Sequence, residues 1–376
     1  MPSVHSEVLD VYTAVGGSQS LEGVLSAWNE RGWEVRRHYT VSEEQYRRAG
    51  GQLRRIQLRW QMYVQFGWQC WQTVRQARGN APLRVVTSNP FYGPALAQWA
   101  AQGFGTTVNL VYDLYPDALV QAEVLREDSW LAHRVASITK AALRGCDATV
   151  FLGERLRRHA EARYGAARRS VVIPVGADGS PFRDTPPRLV GPQQDIKILY
   201  AGQLGRMHEV ETLQMALRAG VPAGLQLAFH AIGTGYERLR GEDFPGARCL
   251  WGEPLPQLAW ENVMMEAQVA LVTMAPGAEN IVMPSKTYSA LVAGQAVLAI
   301  CSAQSDLADL VRKHDCGWVI APGDVAGLRI CLDEITRDQP GLLAKRLNAF
   351  NAGHTYYDVA VLAKQWMQLF DSLTAD

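Results

Sequence analysis

The chain has 376 residues, of which 48% are hydrophobic and 20% charged, and Lys+Arg and Asp+Glu both number 37, so the formal charge is zero. That balance excludes a general nucleic-acid binder, which carries a basic excess, and the apolar fraction excludes disorder. The length predicts two domains of about 150–200 residues rather than one core.

Residues 1–17 have neither the basic start nor the apolar centre of a secretory leader, and no run of about 18 apolar residues predicts a membrane-spanning helix. Short apolar runs, unalternated and rich in Val, Ile and Leu, predict strands at 8–13, 34–39, 83–87, 107–112, 149–152 and 171–174. Six more follow at 196–200, 225–232, 247–251, 269–273, 296–300 and 317–320. Unalternated runs suit strands buried on both faces of a parallel sheet. Helical periodicity between them, as at 21–31, 131–143 and 210–218, makes the class α/β with doubly wound layers. Residues 179–195, rich in Pro and Gly, predict the boundary between the domains. The expected division is 1–185, 195–355 and a C-terminal helix at 356–376 that packs back on the first domain. Six cysteines form no CxxC pair, so a reducing cytoplasm is expected, with neither disulfide framework nor zinc site.

One stretch breaks the charge balance. Residues 45–79 hold seven arginines and no Asp, Glu or Lys. Leu53, Ile56, Trp60, Tyr63, Gly67 and Trp71 recur there at helical spacing, behind Arg47, Arg48, Arg54, Arg55 and Arg59. Two readings stand: a peripheral contact with anionic lipid headgroups, or a core helix with a solvated arginine face.

The residues suited to chemistry lie in the second half. Strand 196–200 runs into Gly202, Gln203, Gly205, Arg206 and His208 and then a helix. A glycine-bearing strand-to-helix turn frees backbone N–H groups for a phosphate, and Arg206 can add a forked charge. The alternative is a tight turn with a solvated arginine. Downstream, Pro284 suits a helix's first turn, with Ser285 and Lys286 beside it. A lysine there opposes the helix dipole unless an anion binds. Ordinary capping with Lys286 in solvent is the other reading. Glu279 can accept hydrogen bonds from sugar hydroxyls.

Taken in register, these segments resemble the retaining, nucleotide-sugar-dependent glycosyltransferases of family 4, with the GT-B architecture of two facing Rossmann-like domains and an interdomain cleft. Residues 8–35 resemble the opening strand, Gly16-Gly17 loop and first helix. Asn109 to Asp117 resembles the segment with consensus "hDlwPd", and Cys146 to Arg155 the "aDavi…Se" stretch. Val172 to Asp178 resembles "viPnGvD", Ala231 to Glu237 resembles "ivGdGpe", and Pro284 to Leu298 the "PSKlY…aaGrPvl" variant. Residues 307–317 and Ala321 to Asp324 complete the series.

The resemblance implies a UDP-sugar held by the C-terminal domain, with Arg206 and Lys286 on the diphosphate and Glu279 toward the sugar or ribose. Gly202, Gln203, Gly205, His208, Gly233, Pro284, Ser285 and Tyr288 would line the donor site, and Gly16 and Gly17 would close over the pyrophosphate. Asp113, Tyr112 and Tyr115 would meet the acceptor, a glycan or a polyprenyl-diphosphate-linked sugar. Arg47, Arg48, Arg54, Arg55 and Trp60 would meet acceptor or membrane. No metal or other cofactor is expected, because cationic side chains stabilise the leaving diphosphate. The implied setting is bacterial surface-polysaccharide synthesis, in the cytoplasm and on the cytoplasmic face of the inner membrane. The chain departs from the pattern at Ser289, where a second acid is frequent, at Tyr112, where histidine is frequent, and at His208, where a basic residue is usual. The alternatives are a non-catalytic nucleotide-sugar-binding partner and a nucleotide-sugar 2-epimerase.

Overall fold

The structure, a computed structural model, describes residues 8–17, 19–47, 52–77, 83–191 and 194–374. It divides into two compact units, one of residues 1–175 with 362–376 and one of residues 176–361. The first contains strands β1 (Val8–Tyr12), β2 (Val15–Gly16), β3 (Glu34–His38), β4 (Val41–Ser42), β5 (Leu83–Thr87), β6 (Thr106–Val111), β7 (Ala148–Phe151) and β8 (Ser170–Val172). The second contains β9 (Ile196–Gln203), β10 (Leu225–Ile232), β11 (Arg248–Gly252), β12 (Val269–Thr273), β13 (Ala296–Ile300) and β14 (Gly317–Ile320).

Both main sheets are parallel throughout. The first runs β3-β1-β5-β6-β7-β8, and β2 pairs separately with β4. The second runs β11-β10-β9-β12-β13-β14. Every residue of β5, β12 and β13 is buried, which explains the unalternated apolar runs: helices cover both faces, so neither face needs polar side chains. All twelve predicted strands form. β9 continues to Gln203, beyond the expected end at 200, because Gly202 and Gln203 stay in register with Ala231 and Ile232 of β10.

The division between units falls at 175/176, ahead of the predicted boundary. Residues 179–195 are irregular in backbone yet serve the second unit. Val190 packs on its core, and the carbonyl of Arg188 accepts from the buried Arg346 Nη1 at 2.8 Å. A Pro- and Gly-rich stretch whose carbonyls and apolar groups are taken up is part of a domain, not a linker. The helix Val359–Thr374 begins in the second unit and continues into the first. Its Trp366 and Phe370 pack edge-on against Trp28, with centroids 5.4 and 5.3 Å away.

Among the described residues the arginine stretch contributes the helices Glu43–Arg47, Gln52–Trp60 and Phe66–Gln76, with a π-helical turn at Gln61–Gln65. Arg48 lies outside the described residues, as does the side chain of Arg47. Leu58, Met62, Phe66, Cys70 and Val74 face the core. A strict four-residue spacing drifts around an α-helix of 3.6 residues per turn, and the wider π turn takes up part of that drift. The other row points out: Leu53, Ile56, Trp60 and Tyr63 are 85%, 62%, 55% and 42% exposed.

Candidate active site

The strand order of the second sheet reverses between β9 and β12, since β10 and β11 lie on one side of β9 and the later strands on the other. In open α/β sheets, ligands bind at the carboxyl ends of the strands flanking such a reversal. Here those ends carry Gly202, Gln203, Gly205 and His208 after β9 and the loop from Ala275 to Ser285 after β12. The two segments are tied by Ala275 N–H donating to Met207 O at 2.9 Å.

Glycine is needed at this end. Gly202 has φ +107°, and a Cβ there would meet nothing within 4 Å, so its outer side is open. Gly233 has φ +117°, and a Cβ would fall 2.6 Å from Leu204 O, so only glycine lets the β10 loop lie against the β9 loop.

Lys286 is the centre of the cluster. It is the first residue of the helix Lys286–Val292, with Ser285 as an N-cap that makes no side-chain cap bond. Pro284 therefore sits one residue before the cap rather than in the first turn. The lysine does not point into solvent. Its Nζ donates to the Tyr200 hydroxyl and to Gln203 O at 3.2 Å, and lies 3.8 Å from the Tyr200 ring centroid. The phenol in turn donates to Gln203 O at 2.7 Å. Burial pushes the Lys286 amine down to about 7.

His208 Nδ1 accepts from Gly205 N–H at 3.1 Å. Burial, with the Lys286 charge beside it, pushes its imidazole down to about 3. The ring is therefore neutral at pH 7, and an accepting Nδ1 places the single proton on Nε2. Glu279 follows β12, and its Oε2 is buried with no hydrogen-bond partner among the described residues. A buried carboxylate oxygen without a donor is costly, and a ligand hydroxyl would satisfy it. Arg206 is exposed on the same turn. Tyr288 departs from expectation: it is 2% exposed, with its ring 5.3 Å from that of Tyr357, and so belongs to the core rather than the donor wall.

The remaining predicted residues lie in the first unit, whose order reverses between β1 and β5. Gly16 and Gly17 follow β1. Gly17 has φ +86° with open space around it, whereas a Cβ on Gly16 would strike the Tyr39 ring at 2.5 Å. Asp113 follows β6 and lines a small pocket with Ser88, Phe91, Asn109 and Tyr115. Burial pushes its carboxyl up to about 6. Tyr112 N–H donates to Ser88 Oγ at 3.1 Å, and the Tyr115 ring lies 5.9 Å from Phe91. Arg54, Arg55 and Trp60 are exposed on the helix Gln52–Trp60. Two residues of these clusters were not predicted. Tyr200 reads in sequence as an ordinary strand residue, and Asn109, whose buried Oδ1 has no partner among the described residues, reads as part of β6.

A family profile described as a glycosyl transferase 4-like domain matches residues 15–176. The matched span is under half of the chain, and over it the chain resembles that family. The match coincides with most of the first unit, including Gly16, Gly17 and Asp113. The chain is also 25% identical over 271 residues to a probable glycosyltransferase, WbjE, of Pseudomonas aeruginosa; the aligned region spans 68% of this chain and 64% of that protein. Among solved structures, sucrose-phosphate synthase from Thermosynechococcus elongatus superposes with a TM-score of 0.70 at 16% identity, covering 98% of this chain and 99% of the other. Anabaena HepE, solved in complex with UDP and glucose, superposes with a TM-score of 0.66 at 14% identity, covering 98% and 100%. At such identities the likeness is one of fold, and the fold is GT-B.

Proposed function

We propose that the chain is a retaining glycosyltransferase that moves a sugar from a UDP-sugar to a glycan or polyprenyl-diphosphate-linked acceptor in bacterial surface-polysaccharide synthesis. The observation that carries this reading is the cluster at the carboxyl ends of β9 and β12. It combines a lysine amine poised to be held protonated by an anion, a neutral imidazole N–H, open glycine backbone and a carboxylate oxygen without a partner among the described residues. Those groups match the chemistry of a nucleoside diphosphate joined to a polyhydroxylated ring.

The roles follow from that chemistry. Lys286 and Arg206 neutralise charge that builds on the departing diphosphate, which takes over the usual task of Mg²⁺ and makes the reaction metal-independent. His208 offers Nε2–H as an uncharged donor. Glu279 accepts from a ring or ribose hydroxyl and fixes the donor's orientation. Retention proceeds through an oxocarbenium-like state, in which the leaving phosphate takes the acceptor's proton. Asp113 orients the acceptor hydroxyl. A lipid-linked acceptor stays in the bilayer, and the outward row Leu53, Ile56, Trp60 and Tyr63, flanked by arginines, suits contact with anionic headgroups. The glycosyl transferase 4-like match over residues 15–176 and the similarity to WbjE support the transferase class.

Calorimetric titration with UDP, GDP, ADP and dTDP, in EDTA and then with Mg²⁺, tests the reading. Tight binding of UDP alone, unchanged by the metal, is the expected result. Lys286→Ala and Arg206→Ala should each weaken it by about tenfold, the worth of one charge-assisted hydrogen bond. If both variants bind UDP as the wild type does, the diphosphate site is elsewhere.

A further inference from the structure

We propose that Tyr200 is the positioning residue for Lys286, holding its ammonium in place at the end of β9 before any ligand arrives; this rests on the donor-site reading above. Tyr200 is 1% exposed, in a strand whose other core positions are aliphatic. A buried phenol needs a partner for its O–H, and Tyr200 finds one in Gln203 O at 2.7 Å on its own strand. That bond orients the hydroxyl's lone pairs toward Lys286, which donates to it and again to Gln203 O. The ring lies beneath the ammonium, and Phe229 stacks at 6.4 Å from the Tyr200 ring.

An ammonium has three N–H donors. Tyr200 and Gln203 take two and leave one for a phosphate oxygen. A lysine side chain loses much rotamer freedom when immobilised, and here that loss occurs on folding rather than on binding. Tyr200 therefore contributes to affinity without touching the ligand.

A double-mutant cycle tests this. The probe is whichever of UDP, GDP, ADP and dTDP the wild type binds most tightly. Tyr200→Phe keeps the ring and removes the hydroxyl, and is expected to weaken binding roughly three- to tenfold, the range of one lost hydrogen bond. In a Lys286→Met background the same substitution is expected to change binding less than about twofold, because no ammonium remains to be held. Equal losses in both backgrounds, or none in the wild type, would overturn the proposal and leave the donor site standing. Failure of the wild type to bind any of the four, or of Lys286→Met to weaken binding, would remove the donor-site reading and the proposal with it. Should Tyr200→Phe melt far below the wild type, acylation of Lys286 by an amine-directed reagent, read by mass spectrometry in the intact wild type, replaces it. Protection of Lys286 relative to exposed lysines, deepened by the nucleotide, agrees with the proposal; ordinary reactivity contradicts it.

Discussion

Asp113 is held at a cost. Burial raises its carboxyl to about 6, against about 3.9 in an unfolded chain. Between those values the folded chain binds more protons than the unfolded one, so stability falls as pH rises. The penalty is absent below about pH 4 and complete above about pH 6. Asp113→Asn should therefore melt higher than the wild type at pH 7.5, by the equivalent of on the order of 1–2 kcal/mol, with no difference at pH 4. Sugar transfer should drop in the same variant. A melting temperature unchanged at both pH values would mean that burial does not strain this carboxylate. At this scale the sequence was half legible. The Pro284-Ser285-Lys286 run marked a lysine for an anion, because that residue conflicts with a helix start. Its partner Tyr200 carried no such mark, since an aromatic in a buried strand is what packing alone would select. Tyr288 shows the converse: it shares the motif with Lys286 but turns into the core.

The elements were legible where burial is two-sided. The central strands β5, β12 and β13 stand out because every residue in them is buried, whereas β3 and β11 contain no fully buried residue and carry a weaker pattern. The two-residue β2 and β4 are too short to carry a pattern, and the extra length of β9 comes from pairing with β10, which no local pattern encodes. The helices over 52–76 illustrate a subtler difficulty. Two apolar rows compete there, and the row at ordinary helical spacing is the outer one. The row with strict four-residue spacing, from Leu58 to Val74, reaches the core because a π turn interrupts the helix. On the membrane contact proposed above, an outer row of Leu, Ile, Trp and Tyr beside Arg54, Arg55 and Arg59 would gain from burial of the rings and about 1 kcal/mol per arginine near anionic lipid. Sedimentation with anionic vesicles checks this. Replacing Arg54, Arg55 and Arg59 by Glu should release the protein, as should Trp60→Ser with Trp68→Ser. Retention of both variants on the vesicles would mean that this face has another use.

On the scale of the whole chain, the division between units did not follow composition. The Pro- and Gly-rich stretch after residue 178 was absorbed into the second unit, and the crossing lies in a segment with no compositional mark. The last helix matters more to the first unit than its position suggests. Phe370 is fully buried, with its ring 5.3 Å from Trp28 and 5.4 Å from Trp33. Phe370→Ala should cost about 3–5 kcal/mol, and the loss should appear in the unit that holds Trp28, read by hydrogen exchange in that region. Equal protection in variant and wild type would mean that the helix only rests there. The same arrangement sets an order of events at the ribosome. Trp28 and Trp33 emerge early, but Trp366 and Phe370, which pack against them, are made only after the whole stretch 176–361. At about 5–20 residues per second, that leaves apolar surface on the first half of the chain waiting for roughly 10–40 s. A nascent chain thus leaves the faces of Trp28 and Trp33 uncovered until Trp366 and Phe370 arrive, and truncation ahead of Trp366 should destabilise the first unit itself.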